Sequence, residues 1–74
     1  MARYRIRAEV VVDGDQSQWV TLDEDGKPAK RAEDSEFIGT KAEANEEAES
    51  RANQYEEAFG RNVISVETEH YGDL

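Results

Sequence analysis

With 74 residues the chain has room for one domain, and without cysteine it has no disulfide, thiolate metal site or cysteine nucleophile. Eighteen acidic residues against nine basic ones give a net charge of −9, which repels nucleic acid and anionic lipid and attracts basic surfaces. No apolar stretch is long enough to span a bilayer, and Met1 leads into an alternating pattern rather than a signal peptide. We therefore expect a single, complete, acidic and cytoplasmic domain over residues 1–74.

The N-terminal segment predicts a strand with one buried face. Between positions 4 and 12 the polarity alternates with a period of two, the pattern of a strand that packs on a core with one side only. The alternate charged positions, which include three arginines, lie on the side away from the core. The apolar parity consists of Tyr4, Ile6, Ala8, Val10 and Val12.

A hairpin is expected to join this strand to a second one. Asp13-Gly14-Asp15 has turn chemistry, since glycine and aspartate tolerate the positive φ that tight turns need. The residues at 19–22 are rich in β-formers, which predicts the returning strand. The sequence leaves open which alternate side chains of this strand face the core. We favour Val20 and Leu22 in the core, an arrangement that exposes Trp19.

The segment from 23 to 34 is predicted to be a mobile loop. It opens on Asp23-Glu24-Asp25-Gly26, which has the composition of a turn, and it contains the only proline, Pro28. The rest of the segment is mainly polar and has no periodic apolar pattern. Shortly after it, residues 36–39 are expected to form a short third strand.

The clearest prediction is a helix over residues 41–59. Thr40 and Glu43 form a capping box, in which each side chain accepts a hydrogen bond from the other residue's backbone N–H, and Gly60 is placed to terminate the helix. The run between them is dense in alanine and glutamate, which are good helix formers. One stripe at helical spacing is apolar, small at its start and aromatic at its end. It comprises Ala44, Ala48, Tyr55 and Phe59, flanked by Ala52 and Ala58.

Alternation returns at 62–70, which predicts a closing strand, and residues 71–74 are expected to be a loose tail. The elements predict an α+β fold of ββ(β)αβ order, with a single helix packed on one face of a three- or four-stranded, mainly antiparallel sheet. The other face should be open to water, because no second helix is available to cover it. The shared core is predicted to contain Tyr4, Ile6, Val10, Tyr55, Phe59, Ile64 and Val66.

The sequence lacks the patterns typical of catalytic and metal sites. It contains no nucleophile elbow and no phosphate-binding loop, and its single histidine, His70, has no candidate nucleophile near it in sequence. A calcium-binding loop that began at Asp23 would need glycine at its sixth position, whereas Gly26 comes fourth. We therefore expect a protein that is not an enzyme and has neither a cofactor nor a metal ion.

Arg3, Arg5 and Arg7 share the charged parity of the first strand. Their spacing would suit a stripe for nucleic acid, but the net charge of the chain opposes phosphate. If the first and last strands are neighbours, these arginines face Glu67 and Glu69, and each pair of opposite charges adds about 0.2–1 kcal/mol. We favour this pairing and expect neither direct nucleic-acid binding nor a membrane partner.

The candidate partner-binding surface is the acidic face of the predicted helix, together with the acidic turn. At about 100° per residue the outer helix face collects glutamates that repel one another at a spacing of three or four residues. A face kept for a basic partner explains this repulsion, and a solvated face kept soluble by charge explains it equally well. The candidate residues are Glu43, Glu46, Glu49, Glu56 and Glu57 on the helix, with Asp23, Glu24 and Asp25 in the turn.

In size, charge and strand–helix–strand order the chain resembles the small acidic α+β proteins that bacteriophages encode, anti-CRISPR proteins among them. No motif carries this resemblance, so it assigns no role to any residue. The resemblance implies an inhibitor in the host cytoplasm that imitates nucleic-acid phosphates. Its partner would be a basic protein surface, such as that of a nucleic-acid-binding complex.

An environmental interpretation competes with this one. Proteins of halophiles carry similar acidity in order to stay hydrated in concentrated salt, and the chain would then be a small structural or homo-oligomeric protein. A homodimer is compatible with either interpretation. A mimic concentrates charge on one patch, whereas a halophilic protein spreads it. The acidic excess is largest in the middle loop and the helix, which favours the binding protein, although every region after residue 12 is net negative.

Overall fold

A computed structural model describes residues 1–73 and shows one helix packed against a four-stranded antiparallel sheet. The predicted α+β class and the predicted order of elements are both confirmed. The predicted third strand and the helix bounds agree with the structure residue for residue. The elements are β1 (Ala2–Asp13), β2 (Gln16–Thr21), a 3₁₀ turn (Ala32–Ser35), β3 (Glu36–Gly39), α1 (Lys41–Phe59) and β4 (Val63–Asp73).

The sheet is built around β1, with which each of the other strands pairs. β2 pairs with the second half of β1 and β3 with its first residues, while β4 pairs along β1 from Ala2 to Val10. Because a strand has two edges, β2 and β3 lie end to end along the edge opposite β4. The predicted neighbourhood of the first and last strands is confirmed, and Arg7 donates hydrogen bonds of 3.0 and 3.1 Å to the two carboxylate oxygens of Glu67.

The helix begins and ends as its capping residues predict. The Thr40 hydroxyl accepts a hydrogen bond from the Glu43 backbone N–H at 3.1 Å, and the Glu43 carboxylate accepts one from the Thr40 backbone N–H at 2.9 Å. The bond from the Thr40 backbone, followed by the one from its side chain, lowers the pKa of Glu43 from its ordinary value. At the other end, Gly60 adopts the left-handed conformation, with φ of 66°, that ends a helix.

The core lies between β1 and the alanine-rich face of α1. Tyr4, Ile6, Val10 and Tyr55 are buried as predicted. Leu22 is fully buried and Val20 packs against the core, which confirms the parity favoured for the second strand. The buried alanines of α1 have short side chains, so the helix lies close to the sheet. They are Ala44, Ala48 and Ala52.

The C-terminal end of the helix is more exposed than its apolar stripe predicts. Phe59 was expected in the core, but 46% of its surface is exposed because it is the last helical residue. It covers the Tyr55 ring instead, with the ring centroids 4.7 Å apart. Ala58, expected at the flank of the stripe, is exposed as well. The core therefore ends at Tyr55.

A bulge in β4 overturns the core position predicted for Ile64. The pairing with β1 shifts by one residue between Ser65 and Val63, which leaves Ile64 without a partner on β1. Val63 packs against the core instead, with Val66, and 60% of the Ile64 surface is exposed. Strict alternation fails here because the bulge contains one extra residue.

The C-terminal residues continue β4. A second irregularity in the pairing leaves Tyr71 unpaired, after which the strand continues until Asp73 pairs with Ala2. Residues 71–73 of the predicted tail thus lie in the strand, and residue 74 lies outside the described residues. Whether the tail is loose stays a prediction.

The segment predicted as a mobile loop folds back on itself. One carboxylate oxygen of Asp23 accepts hydrogen bonds from the backbone N–H groups of Asp25 and Lys27, at 2.9 and 3.0 Å. An isolated bridge joins Leu22 to Pro28, and the 3₁₀ turn leads into β3. These contacts give the segment a defined path, and its mobility stays a prediction.

Candidate functional site

The acidity of the molecule is one-sided. α1 contains six glutamates and only two cationic residues, a net charge of −4. The opposite side of the sheet is formed by the odd-numbered residues of β1 from Arg3 to Glu9 and their register partners, and its net charge is only −1. It combines Arg3, Arg5 and Arg7 with Glu9, Glu36, Glu67 and Glu69. Charge is therefore concentrated on the helix side.

Three of the predicted contact residues form the open part of the helix face. Glu46, Glu49 and Glu57 are exposed, and among residues 1–73 none of them forms a side-chain hydrogen bond or an ion pair. Glu46 and Glu49 are three residues apart, close enough on a helix to repel each other. The carboxylates of all three residues are exposed and can accept hydrogen bonds from a partner. We call these three residues the open carboxylates.

Three other predicted contact residues stabilise the fold. Glu43 caps α1, and Asp23 organises the acidic turn. Glu56 accepts a hydrogen bond of 2.9 Å from the backbone N–H of Val63, which ties the start of β4 to the helix. Each of these carboxylates has an oxygen occupied inside the protein, so we assign them a structural role with a secondary contribution to the charge.

Arg51, which is not among the predicted contact residues, closes the acidic turn onto the helix. Its side chain is almost fully buried, and one of its nitrogens donates to the backbone carbonyls of Leu22, at 3.1 Å, and Ser35, at 3.0 Å. These carbonyls flank the 23–34 segment, so a single guanidinium holds both of its ends. Arg51 also donates to Glu47 at 2.8 Å. The helical spacing of the sequence does indicate that Arg51 is close to the core, because it lies four residues before Tyr55 and therefore beside the buried stripe.

Gly26 brings the acidic turn into contact with the helix backbone. It is buried with φ of +75°, and a Cβ atom there would lie 2.6 Å from the Arg51 carbonyl oxygen and from the Gln54 Cβ. Only glycine permits this approach. The exposed Glu24 and Asp25 are thereby held beside α1, next to the helical turn that separates Glu49 from Glu57. The acidic turn and the open carboxylates together are named the acidic surface.

A shallow depression of about 330 Å³ adjoins this turn. Its lining mixes both signs of charge, and within residues 1–73 no three His, Asp or Glu side chains are grouped so that they could hold a metal ion. The lining consists of Asp23, Glu24, Asp25, Lys27, Pro28, Lys30 and Asp34. We assign no cofactor or metal to it.

Over the part of the chain that is described, no helix is both long and apolar enough to cross a membrane. Comparisons of the chain with protein-family models, with curated proteins and with solved structures found no match. The roles of these residues therefore rest on their own geometry and charge.

Proposed function

We propose that the chain is an acidic binding protein that inhibits a nucleic-acid-binding partner by occupying its basic surface. The contact is made by the acidic surface, with the open carboxylates Glu46, Glu49 and Glu57 at its centre. The one-sided charge of the molecule supports this proposal, because an acidic face and a nearly neutral face lie on opposite sides of the same small domain. The partner contributes arginine and lysine side chains that otherwise bind phosphate.

The energetics of the helix face also support a binding role. Each pair of like charges three or four residues apart on a helix costs roughly a few tenths of a kcal/mol, and Glu46 and Glu49 form no ion pair that offsets this cost within residues 1–73. A basic partner removes the repulsion when it binds. Long-range attraction between opposite charges also accelerates the encounter and weakens as salt is added.

The distribution of charge favours binding over an adaptation to salt. An adaptation to salt needs negative charge on every face, whereas three arginines offset four glutamates on the open side of the sheet. The excess lies on the helix and in the 23–34 segment. Because the helix side and the open side of the sheet differ in charge in this way, we prefer an inhibitor to a structural protein of a halophile.

The proposal is tested by neutralising the open carboxylates with the triple substitution E46Q/E49Q/E57Q. The immobilised chain is incubated, at about 0.1 M salt, with the heparin-retained fraction of a bacterial lysate, which is rich in basic proteins. We expect the wild-type chain to capture a basic protein and the variant to lose about tenfold or more of this capture, mainly through slower association. Helical circular dichroism checks that the variant is folded.

The matched control is D13N/D15N/D73N, which changes the net charge by the same three units at exposed positions outside the acidic surface. We expect this variant to capture the protein nearly as well as the wild-type chain. Equal losses in both variants would mean that only net charge matters, and no loss in the first variant would place the contact elsewhere. Either result contradicts the proposal.

A further inference from the structure

The open side of the sheet is a second surface with its own pattern, which the acidic surface does not use. In an antiparallel pair, residues directly opposite each other share a face. Register therefore places Arg5 between Glu36 of β3 and Glu69 of β4, and it places Arg7 beside Glu67. The face has a central column of arginines with glutamates on both flanks. We call it the open sheet face.

This face exposes residues that are typical of protein interfaces. Trp19 and Ile38 each have 43% of their surface exposed, and both are register partners of residues on the charged parity of β1. Tryptophan, tyrosine and arginine are the residues most enriched at the energetic centres of interfaces. Trp19 and Ile38 are thus exposed apolar side chains that a partner docked on this face can cover.

The aromatic rings of the face are already covered by cations. The Arg7 guanidinium lies 4.8 Å from the centroid of Trp19, and the Arg5 guanidinium lies 4.3 Å from that of Tyr71. The Tyr71 hydroxyl donates a hydrogen bond to Glu36, which raises the pKa of Tyr71. Each ring therefore already has a cation on one of its faces, and the flanking glutamates repel phosphate. A nucleic acid does not fit this surface.

The arginine column is incompletely satisfied within one chain. The Nε atoms of Arg3 and Arg5 are buried and have no hydrogen-bond partner among residues 1–73. Neither guanidinium has a carboxylate within 4.0 Å in that part of the chain. Most buried polar groups in native proteins have a partner. Within residues 1–73 neither Arg3 nor Arg5 is paired with a carboxylate, so a partner that brings carboxylates to this face can pair with both.

We propose that a second copy of the chain docks on the open sheet face to form a two-fold symmetric dimer with the sheets face to face. A polyanion or a polycation would be repelled by one of the charged columns, whereas a second copy supplies both signs. In a two-fold contact each interaction occurs twice, so the arginines of one copy can meet the glutamates of the other in both directions. The other faces carry most of the net charge of −9, so pairs that involve them bring together more strongly negative surfaces.

The side of the molecule that contains the open sheet face is of the order of size that a dimer interface needs. The molecule measures 40 × 22 × 19 Å, so a flat side that contains its long axis has a projected area of at most about 760–880 Å². A specific interface of standard size buries about 800 Å² per partner. The helices then lie on the two outer sides of the dimer, and both acidic surfaces stay accessible. The dimer and the proposed inhibition are therefore independent of each other.

The dimer is tested by measuring molar mass with light scattering on the full chain, with I38T as the variant and I64T as its control. Both isoleucines are exposed strand residues, but Ile64 lies on the bulge of the edge strand β4. We expect the wild-type chain to have the mass of two chains. I38T should raise the dissociation constant of the dimer about tenfold to a hundredfold, because the dimer contains the substituted residue twice. I64T should leave the dimer intact.

Two further readouts need no variant. Trp19 is the only tryptophan, so its emission should shift to longer wavelength as dilution dissociates the dimer. Added salt should strengthen the dimer by screening two chains of like charge, in contrast to the weakening expected for a basic partner at the acidic surface. A wild-type chain that stays monomeric at about millimolar concentration would overturn the dimer. If I64T dissociated the dimer as readily as I38T does, the contact would lie at the β4 edge, and the proposal would also be overturned.

Discussion

Substituting alanine for Arg51 is expected to destabilise the protein by about 3–5 kcal/mol, which is most or all of the free energy of unfolding of so small a domain. The residue is 2% exposed, and its guanidinium donates to three acceptors at once: the carbonyls of Leu22 and Ser35 and the carboxylate of Glu47. Without it the two carbonyls lose a buried donor, and Glu47 loses its counter-ion. Urea unfolding followed by helical circular dichroism measures the change.

The matched control is Arg31→Ala, which removes the same side chain and the same charge from an exposed site. Arg31 forms ion pairs with Glu33 and Asp34, but 73% of its side chain is exposed. Exposed pairs of this kind contribute about 0–1 kcal/mol, so a small shift of the urea midpoint is expected. If both variants unfolded at the same urea concentration, Arg51 would not be what joins the 23–34 segment to the helix.

Gly26→Ala is also expected to be strongly destabilising, by about 2–5 kcal/mol. The positive φ alone costs an L-residue roughly 1–2 kcal/mol. The added methyl group would also lie 2.6 Å from the Arg51 carbonyl oxygen, and overpacking of this kind costs about 1–3 kcal/mol. Because the obstacle is helix backbone, the turn has to move away from α1, taking Glu24 and Asp25 with it. Urea unfolding of both forms measures the loss.

Gly14→Ala separates the two contributions. Gly14 also has a positive φ, of +57°, but a Cβ there meets no atom within 4 Å. The variant should therefore lose only the conformational part, about 1–2 kcal/mol. The difference between the two variants measures the contact between the turn and the helix. Equal losses would show that this contact contributes nothing to stability.

Local patterns in the sequence predict the elements of this fold well. The bounds of α1 follow from the Thr40 capping box and from Gly60, and the strands follow from alternation and turn residues, because each signal acts within a few residues. Ile64 and Phe59 were misplaced because their burial depends on distant partners. The bulge in the pairing of β4 with β1 removes Ile64 from the core. Phe59 is the last residue of α1 and stays exposed because the core ends at Tyr55.

The candidate site was predictable to a smaller extent. Helical periodicity correctly places Glu46, Glu49 and Glu57 on the exposed side of α1. It does not show that Glu56 caps the backbone of Val63, seven residues away and beyond the helix. The role of Arg51 was missed for the same reason, since its two carbonyl acceptors lie 16 and 29 residues away along the chain. Interactions between distant segments leave no periodic signal in a single sequence.

The most direct measurement of inhibition is competition with DNA for the protein captured from the heparin-retained fraction. A fluorescent duplex oligonucleotide is bound to that protein, and increasing amounts of the chain are added at about 0.1 M salt. Occupation of a phosphate-binding surface predicts that the wild-type chain releases the oligonucleotide and that E46Q/E49Q/E57Q does not. A ternary complex, in which the chain and the duplex bind the protein together, would contradict a role for the acidic surface as an inhibitor of nucleic-acid binding.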